Sequence, residues 1–113
     1  MKPVTILKKA RKLLSNPKRW TKGELARDRA GDATLPASTK AVCFCAEGVL
    51  RKYCGLGTCE SSPVFDSAFA ILHSAAPNNT NPIVYNDGRL SHANLLKWFD
   101  RAIARAEKLE VAK

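Results

Sequence analysis

Apolar residues recur at three- and four-residue intervals through four stretches of this chain, and each stretch predicts a helix. In the first, Ile6, Leu7, Ala10, Leu13 and Leu14 share one face of a helix that opens near Pro3 and runs to about Ser15, where Asn16 and Pro17 stop it. In the second, Val42, Cys45, Ala46, Val49, Leu50 and Tyr53 form one stripe, with Ser38 or Thr39 as cap and Gly55 as the left-handed residue past the end. Gly48 within that helix costs about 1 kcal/mol of helix propensity relative to Ala, which predicts the close approach of another backbone. The third helix has Ser62 as cap and Pro63 in first position, carries Phe65, Ala68, Phe69, Leu72 and Ala76 on one face, and ends by Pro77. The last begins after Ser91 and buries Leu95, Leu96, Phe99, Ala102, Ile103, Ala106 and Leu109.

The connecting segments lack such a period. Trp20 to Pro36 contains Gly23, an Arg27-Asp28-Arg29 run and Gly31, and reads as a loop with one short strand around Glu24 to Ala26. A loop of this length is often functional or mobile. Pro77 to Pro82 is turn material, and Ile83, Val84 and Tyr85 read as a short extended segment halted by Asn86, Asp87 and Gly88. Together these elements predict a mostly α fold: a single small four-helix domain over residues 1–113, with one or two short extended segments and no internal repeat. A chain of this length with 45% hydrophobic residues can build one core without metals or disulfides. It offers no apolar run long enough for a membrane span and no signal-peptide core, so the cytoplasm is the expected compartment and a membrane is not an expected partner.

Charge changes the picture more than composition does. Residues 1–29, the first helix and the start of the loop, carry ten Lys and Arg against Glu24 and Asp28, a surplus of eight in a chain whose net charge is +9. Residues 55–113 hold six bases and six acids. One basic end is therefore expected to attract an acidic macromolecule, nucleic acid or a host protein. The candidate partner-binding residues are Lys8, Lys9, Arg11, Lys12, Lys18, Arg19, Trp20, Lys22, Arg27 and Arg29; Tyr85, Asn86, Asp87 and Arg89 form a secondary candidate surface. Trp20, set among Lys18, Arg19 and Lys22, is the natural anchor of such an interface, although a core contact beside the first helix suits it slightly better. At 7%, aromatic content argues against a platform on which successive bases stack.

The four cysteines, Cys43, Cys45, Cys54 and Cys59, lack paired zinc-ligand spacing. On a helix Cys43 and Cys45 would lie about 200° apart and could not share an ion. Cys45, inward-facing and mid-helix, reads as a small core residue rather than a nucleophile served by His73 or His92, and Cys54 and Cys59 flank a turn that could bring them together. No phosphate-binding glycine loop is present. No catalytic residue, metal site or cofactor is therefore assigned.

Three segments carry a resemblance: Trp20 to Asp28, with the pattern W-x-x-G-x-x-A-R-D; Phe44 to Leu50, an aromatic residue followed by C-A-x-G-x-L; and Tyr85-Asn86-Asp87 ahead of Phe99-Asp100-Arg101-Ala102-Ile103. With these the chain resembles a family of small uncharacterised proteins from bacteria and their phages. Tyr85 stands where that family usually has Trp, and Glu47 where it usually has an apolar residue. The resemblance implies one helical domain and a bacterial or phage origin, with no activity to transfer. The expected function is a phage- or prophage-type binding or accessory protein that uses its basic N-terminal region; a minor structural component of a virion or larger complex, and a small Cys- or metal-dependent enzyme, are the alternatives.

Overall fold

The computed structural model of the protein describes residues 1–112 and is mostly helical. Helix α1 (Pro3–Leu14) starts on a proline, whose missing N–H would have had no partner in a first turn, and buries Ile6, Leu7, Ala10 and Leu14. A single 3-10 turn, Pro17–Arg19, follows; the Asn16 side chain accepts from the Lys18 amide at 3.0 Å and so starts it.

The long segment after Trp20 is not structureless. Its strand β1 (Ala26–Arg27), which overlaps the expected Glu24 to Ala26 only at Ala26, pairs antiparallel with β2 (Cys43–Phe44), Ala26 opposite Phe44 and Arg27 opposite Cys43. Isolated bridges join Trp20 to Phe44 and Arg27 to Ala33. The pairing overturns the expected start of the second helix. The Val42 and Cys45 amides donate outward, to Arg27 O at 2.9 Å and Leu25 O at 3.1 Å, so the chain is extended where apolar spacing alone suggested a helix. Helix α2 is therefore shorter (Ala46–Cys54), and its cap is Cys45, whose sulfur accepts from the Gly48 amide at 3.3 Å. Ser38 caps only a local turn, accepting from the Lys40 amide. The close approach expected at Gly48 is present: a Cβ there would stand 1.8 Å from the Leu25 carbonyl oxygen.

Helix α3 (Pro63–Ala75) begins as expected, Ser62 Oγ accepting from the Phe65 amide at 3.2 Å. The predicted strand around Ile83 is instead a short helix, α4 (Pro82–Asp87), started by the Asn81 side chain, which accepts from the Ile83 amide at 2.9 Å, with Pro82 in first position. Three consecutive apolar residues cannot distinguish strand from helix, and the β-branched pair Ile83–Val84 favours a strand only by propensity. Both stay exposed, whereas Pro82 and Asn86 are buried. Helix α5 (His92–Val111), capped by Ser91, lies against α1 and α3 and presents Leu95, Trp98, Phe99, Ala102 and Ala106 to the interior. Trp98, absent from the expected apolar face, is fully buried, and Leu109, placed on that face, is exposed. The Trp98 indole donates to Leu72 O at 2.9 Å and meets the rings of Tyr85 and Phe99 edge-on. Five helices thus surround one core cluster, with the small sheet closing the side of α2.

Candidate functional site

The candidate residues fall into two groups, one turned inward and one outward. The inward group centres on Asn86, which is fully buried on α4. Its Oδ1 accepts from the Trp20 indole at 2.8 Å and from the Ala46 amide at 3.0 Å; its Nδ2 donates to Thr21 O at 3.1 Å and to Asp87 Oδ1 at 3.0 Å. Every bonding position of that amide is filled. Asp87 Oδ1 also accepts from the Gly23 amide at 2.9 Å, and Lys22 Nζ donates to the carbonyls of Gly88 and Leu90 at 2.7 and 2.9 Å, with its ammonium over the Trp20 ring. Arg27 bonds Thr21 Oγ1, Lys22 O and Gly31 O. Asp28 Oδ1 accepts from the amides of Ala30 and Asp32. These bonds tie the loop after Trp20 to α4 and to the first turn of α2. Trp20, Lys22, Arg27, Asn86 and Asp87 are therefore committed to the fold, and Tyr85 lies half-buried against Trp98. Arg89 is exposed beside them.

The basic residues of α1 divide by face. Arg11 pairs with Asp100 at 3.0 Å and Lys8 with Glu107 at 3.4 Å, both on α5, and Lys2 reaches Glu110 at 2.9 Å. The acids of α5 thus answer one flank of α1. On the other flank, Lys9, Lys12, Leu13 and Asn16 join Arg19 and Tyr53 around an open groove of about 530 Å³ with no carboxylate in its lining. Lys52, from α2, stands over the Tyr53 ring at 5.3 Å, and Lys9 over the same ring at 6.0 Å. Arg19 makes one long bond, to Val42 O at 3.4 Å. Lys18 is exposed on the neighbouring turn, and Arg29 stands apart with Lys40 on the loop. Of the ten predicted residues the structure brings Lys9, Lys12 and Arg19 into one groove. It adds Tyr53, which the apolar stripe of the second helix places in the core, and sets Lys52 over that ring; neither carried a binding signal in sequence, because α2 reaches α1 only through tertiary packing.

The Cys and His residues occupy other places. Cys45 caps α2 instead of lying mid-helix, yet it does not become a thiolate: burial pushes its thiol up to about 11, outweighing the hydrogen bond from the Gly48 amide. Cys54 is half-buried, and desolvation raises it too, against the lowering effect of Arg51. Cys54 and Cys59 are both free thiols. The imidazole Nε2 atoms lie within hydrogen-bond distance of backbone oxygens, His92 of Leu14 O at 2.7 Å and His73 of Asn79 O at 2.9 Å. Half-buried His92 also tilts against the Trp20 ring. Among the described residues no cluster of three His, Cys, Asp or Glu gathers where a metal ion could sit. Glu47, at a position the resemblance makes apolar, is buried but paired with Arg51 at 2.9 Å. Arg51 in turn holds the carbonyls of Gly57 and Glu60 at 2.7 Å and covers the Phe65 ring, so the pair pins the turn after α2. No helix among the described residues is long and apolar enough to cross a membrane.

Residues 1–105 match the model of a family of unknown function, DUF6197, and the chain belongs to that family. No curated protein and no solved structure matches it.

Proposed function

We propose, since family membership assigns this chain no role, that it is a small binding protein whose groove between α1 and α2 engages an acidic macromolecule. The observation that carries this reading is the division of charge on α1. The cations on one flank meet acids of α5, whereas Lys9, Lys12 and Arg19 share with Tyr53 a lining without a carboxylate, and Lys52 stands over the Tyr53 ring. Like charges held together without counter-charges repel one another, and an acidic ligand relieves that repulsion. The phage or prophage setting is supported by the motif resemblance alone.

The test is binding of two polyanions, poly-glutamate and DNA, at low salt to the full chain and to a triple variant, Lys9→Gln, Lys12→Gln and Arg19→Gln. At least one polyanion is expected to bind, with affinity falling tenfold or more in the triple variant. A control triple variant, Arg89→Gln, Lys97→Gln and Lys108→Gln, removes the same charge away from the groove and should retain most of the affinity. Thermal stability should stay close to that of the wild type in both, since exposed charges contribute little to it. Equal losses in the two variants would reduce the surplus of charge to nonspecific attraction and overturn the reading.

A further inference from the structure

The chemistry of the groove is specific about which acidic partner it suits. We infer that it holds the phosphodiester backbone of a nucleic acid, without reading the bases; this deepens the function proposed above and rests on it. A protein partner needs an apolar anchor at the centre of its interface, and Lys is depleted there. In this groove Lys9, Lys12 and Arg19 stand beside Leu13 and Tyr53, both half-buried, and no carboxylate joins them. The large apolar residues that are exposed among the described ones, Met1, Leu35, Ile83, Val84, Leu109 and Val111, all lie outside its lining. Trp20, the residue best suited to anchor a protein, has its indole N–H bonded to Asn86. What remains is Lys9, Lys12 and Arg19 in one lining with Tyr53, and Lys52 over the same ring as Lys9, a composition that suits a ligand whose affinity comes from charge neutralisation.

The same geometry argues against base readout. Reading a base edge calls for a planar side chain free to make two bonds. Only Asn16 and Arg19 in the lining have such a group; Asn16 Oδ1 already accepts from the Lys18 amide, and Arg19, with one long bond to Val42 O, is a single planar donor, too little to specify a sequence. The lysines, as rotating point charges, suit phosphate oxygens. Tyr53 supplies a flat floor beneath two of them, too little aromatic surface for a run of stacked bases.

Fluorescence anisotropy with labelled duplex DNA, single-stranded DNA and duplex RNA of mixed sequence, measured across a salt series, tests the inference. If the four cations each neutralise one phosphate of duplex DNA, log Kd should rise with log salt concentration with a slope of about 3.6, at about 0.9 per contact. Lys12→Gln should lower that slope by about 0.9, and scrambling the sequence should leave Kd unchanged. The three probes identify which nucleic acid is preferred, and binding to a duplex with this slope, or to the single strand with a slope of about 2.8 at about 0.7 per contact, supports the inference. Binding of poly-glutamate without binding of any nucleic acid would overturn the inference while leaving the proposed function standing. Failure of every polyanion would overturn both. A slope that Lys12→Gln leaves unchanged, or a strong sequence preference, would also overturn the inference.

Discussion

Replacing Asn86 by Ala should do more damage than its position on a six-residue helix suggests. The change removes the acceptor for two donors, the Trp20 indole and the Ala46 amide, and the donor for Thr21 O. The Ala46 amide opens α2, where the helix itself offers no acceptor, and it is buried, so it bears the full penalty of an unsatisfied donor, about 1–3 kcal/mol. Trp20 is half-buried and water can partly replace Asn86, so its share falls at the low end, about 1 kcal/mol. The expected loss is about 2–4 kcal/mol, a large part of the roughly 5–15 kcal/mol that holds a domain folded. Urea unfolding followed by far-UV circular dichroism should show the midpoint falling with the slope m unchanged. Asn86→Asp keeps the acceptor for both donors but sets an oxygen 3.0 Å from Asp87 Oδ1, so it too should destabilise, chiefly by repulsion. The indole bond is read from a cycle with Trp20→Phe, whose combined loss with Asn86→Ala should fall short of the sum of the single losses by about 0.5–1 kcal/mol. A loss below about 0.5 kcal/mol for Asn86→Ala, or strict additivity with Trp20→Phe, would refute the view that this network ties the loop to the core.

Gly48→Ala should destabilise by about 3 kcal/mol or more in the same assay, because its Cβ would meet the backbone of Leu25 and no flexible side chain can give way. Cys45→Ser should stay within about 1 kcal/mol of the wild type, since a serine hydroxyl can accept the Gly48 amide bond that the sulfur now accepts, whereas Cys45→Ala loses the cap at about 1 kcal/mol. With the Cys45 thiol raised from 9.0 to about 11, the unfolded chain deprotonates first; stability is fully present below pH 9 and should fall between pH 9 and 11, by about 2–3 kcal/mol. Unfolding midpoints of wild type and Cys45→Ala across that range measure the difference, and parallel curves would show that the thiol titrates normally.

Much of the candidate site was written in the chain at the level of residue type and hidden at the level of partner. The basic surplus of residues 1–29 is plain in the sequence, yet whether a given lysine faces an acid or a groove depends on α5, some ninety residues away in the chain: Arg11 meets Asp100, whereas Lys9 meets Tyr53. The motif residues Trp20, Asn86 and Asp87 stand out in sequence as candidates for partner binding, and the fold uses them, with Gly23, to join one loop to one short helix. Buried polar groups must find partners, and such partners carry no sequence spacing by which they could be recognised.

By itself the sequence determined α1, α3 and α5, because their signals are local: a proline in first position for α1 and α3, Ser62 and Ser91 as caps, and apolar residues repeating within one or two turns. It also determined the contact at Gly48, since a glycine inside a helical pattern costs propensity that a close backbone contact explains. Tertiary structure decided where α2 begins, because the amides of Val42 and Cys45 found carbonyls on a strand distant in the chain and left the helical period at 42–45 unused. It decided that Ile83 to Tyr85 coil as α4, once Tyr85 could lie on Trp98 and Asn86 could bond Trp20. The difference is physical. Helix caps and turns are settled by atoms within four residues of one another, whereas a strand pair, a buried amide or an unanswered charge is settled by whatever the rest of the chain brings beside it.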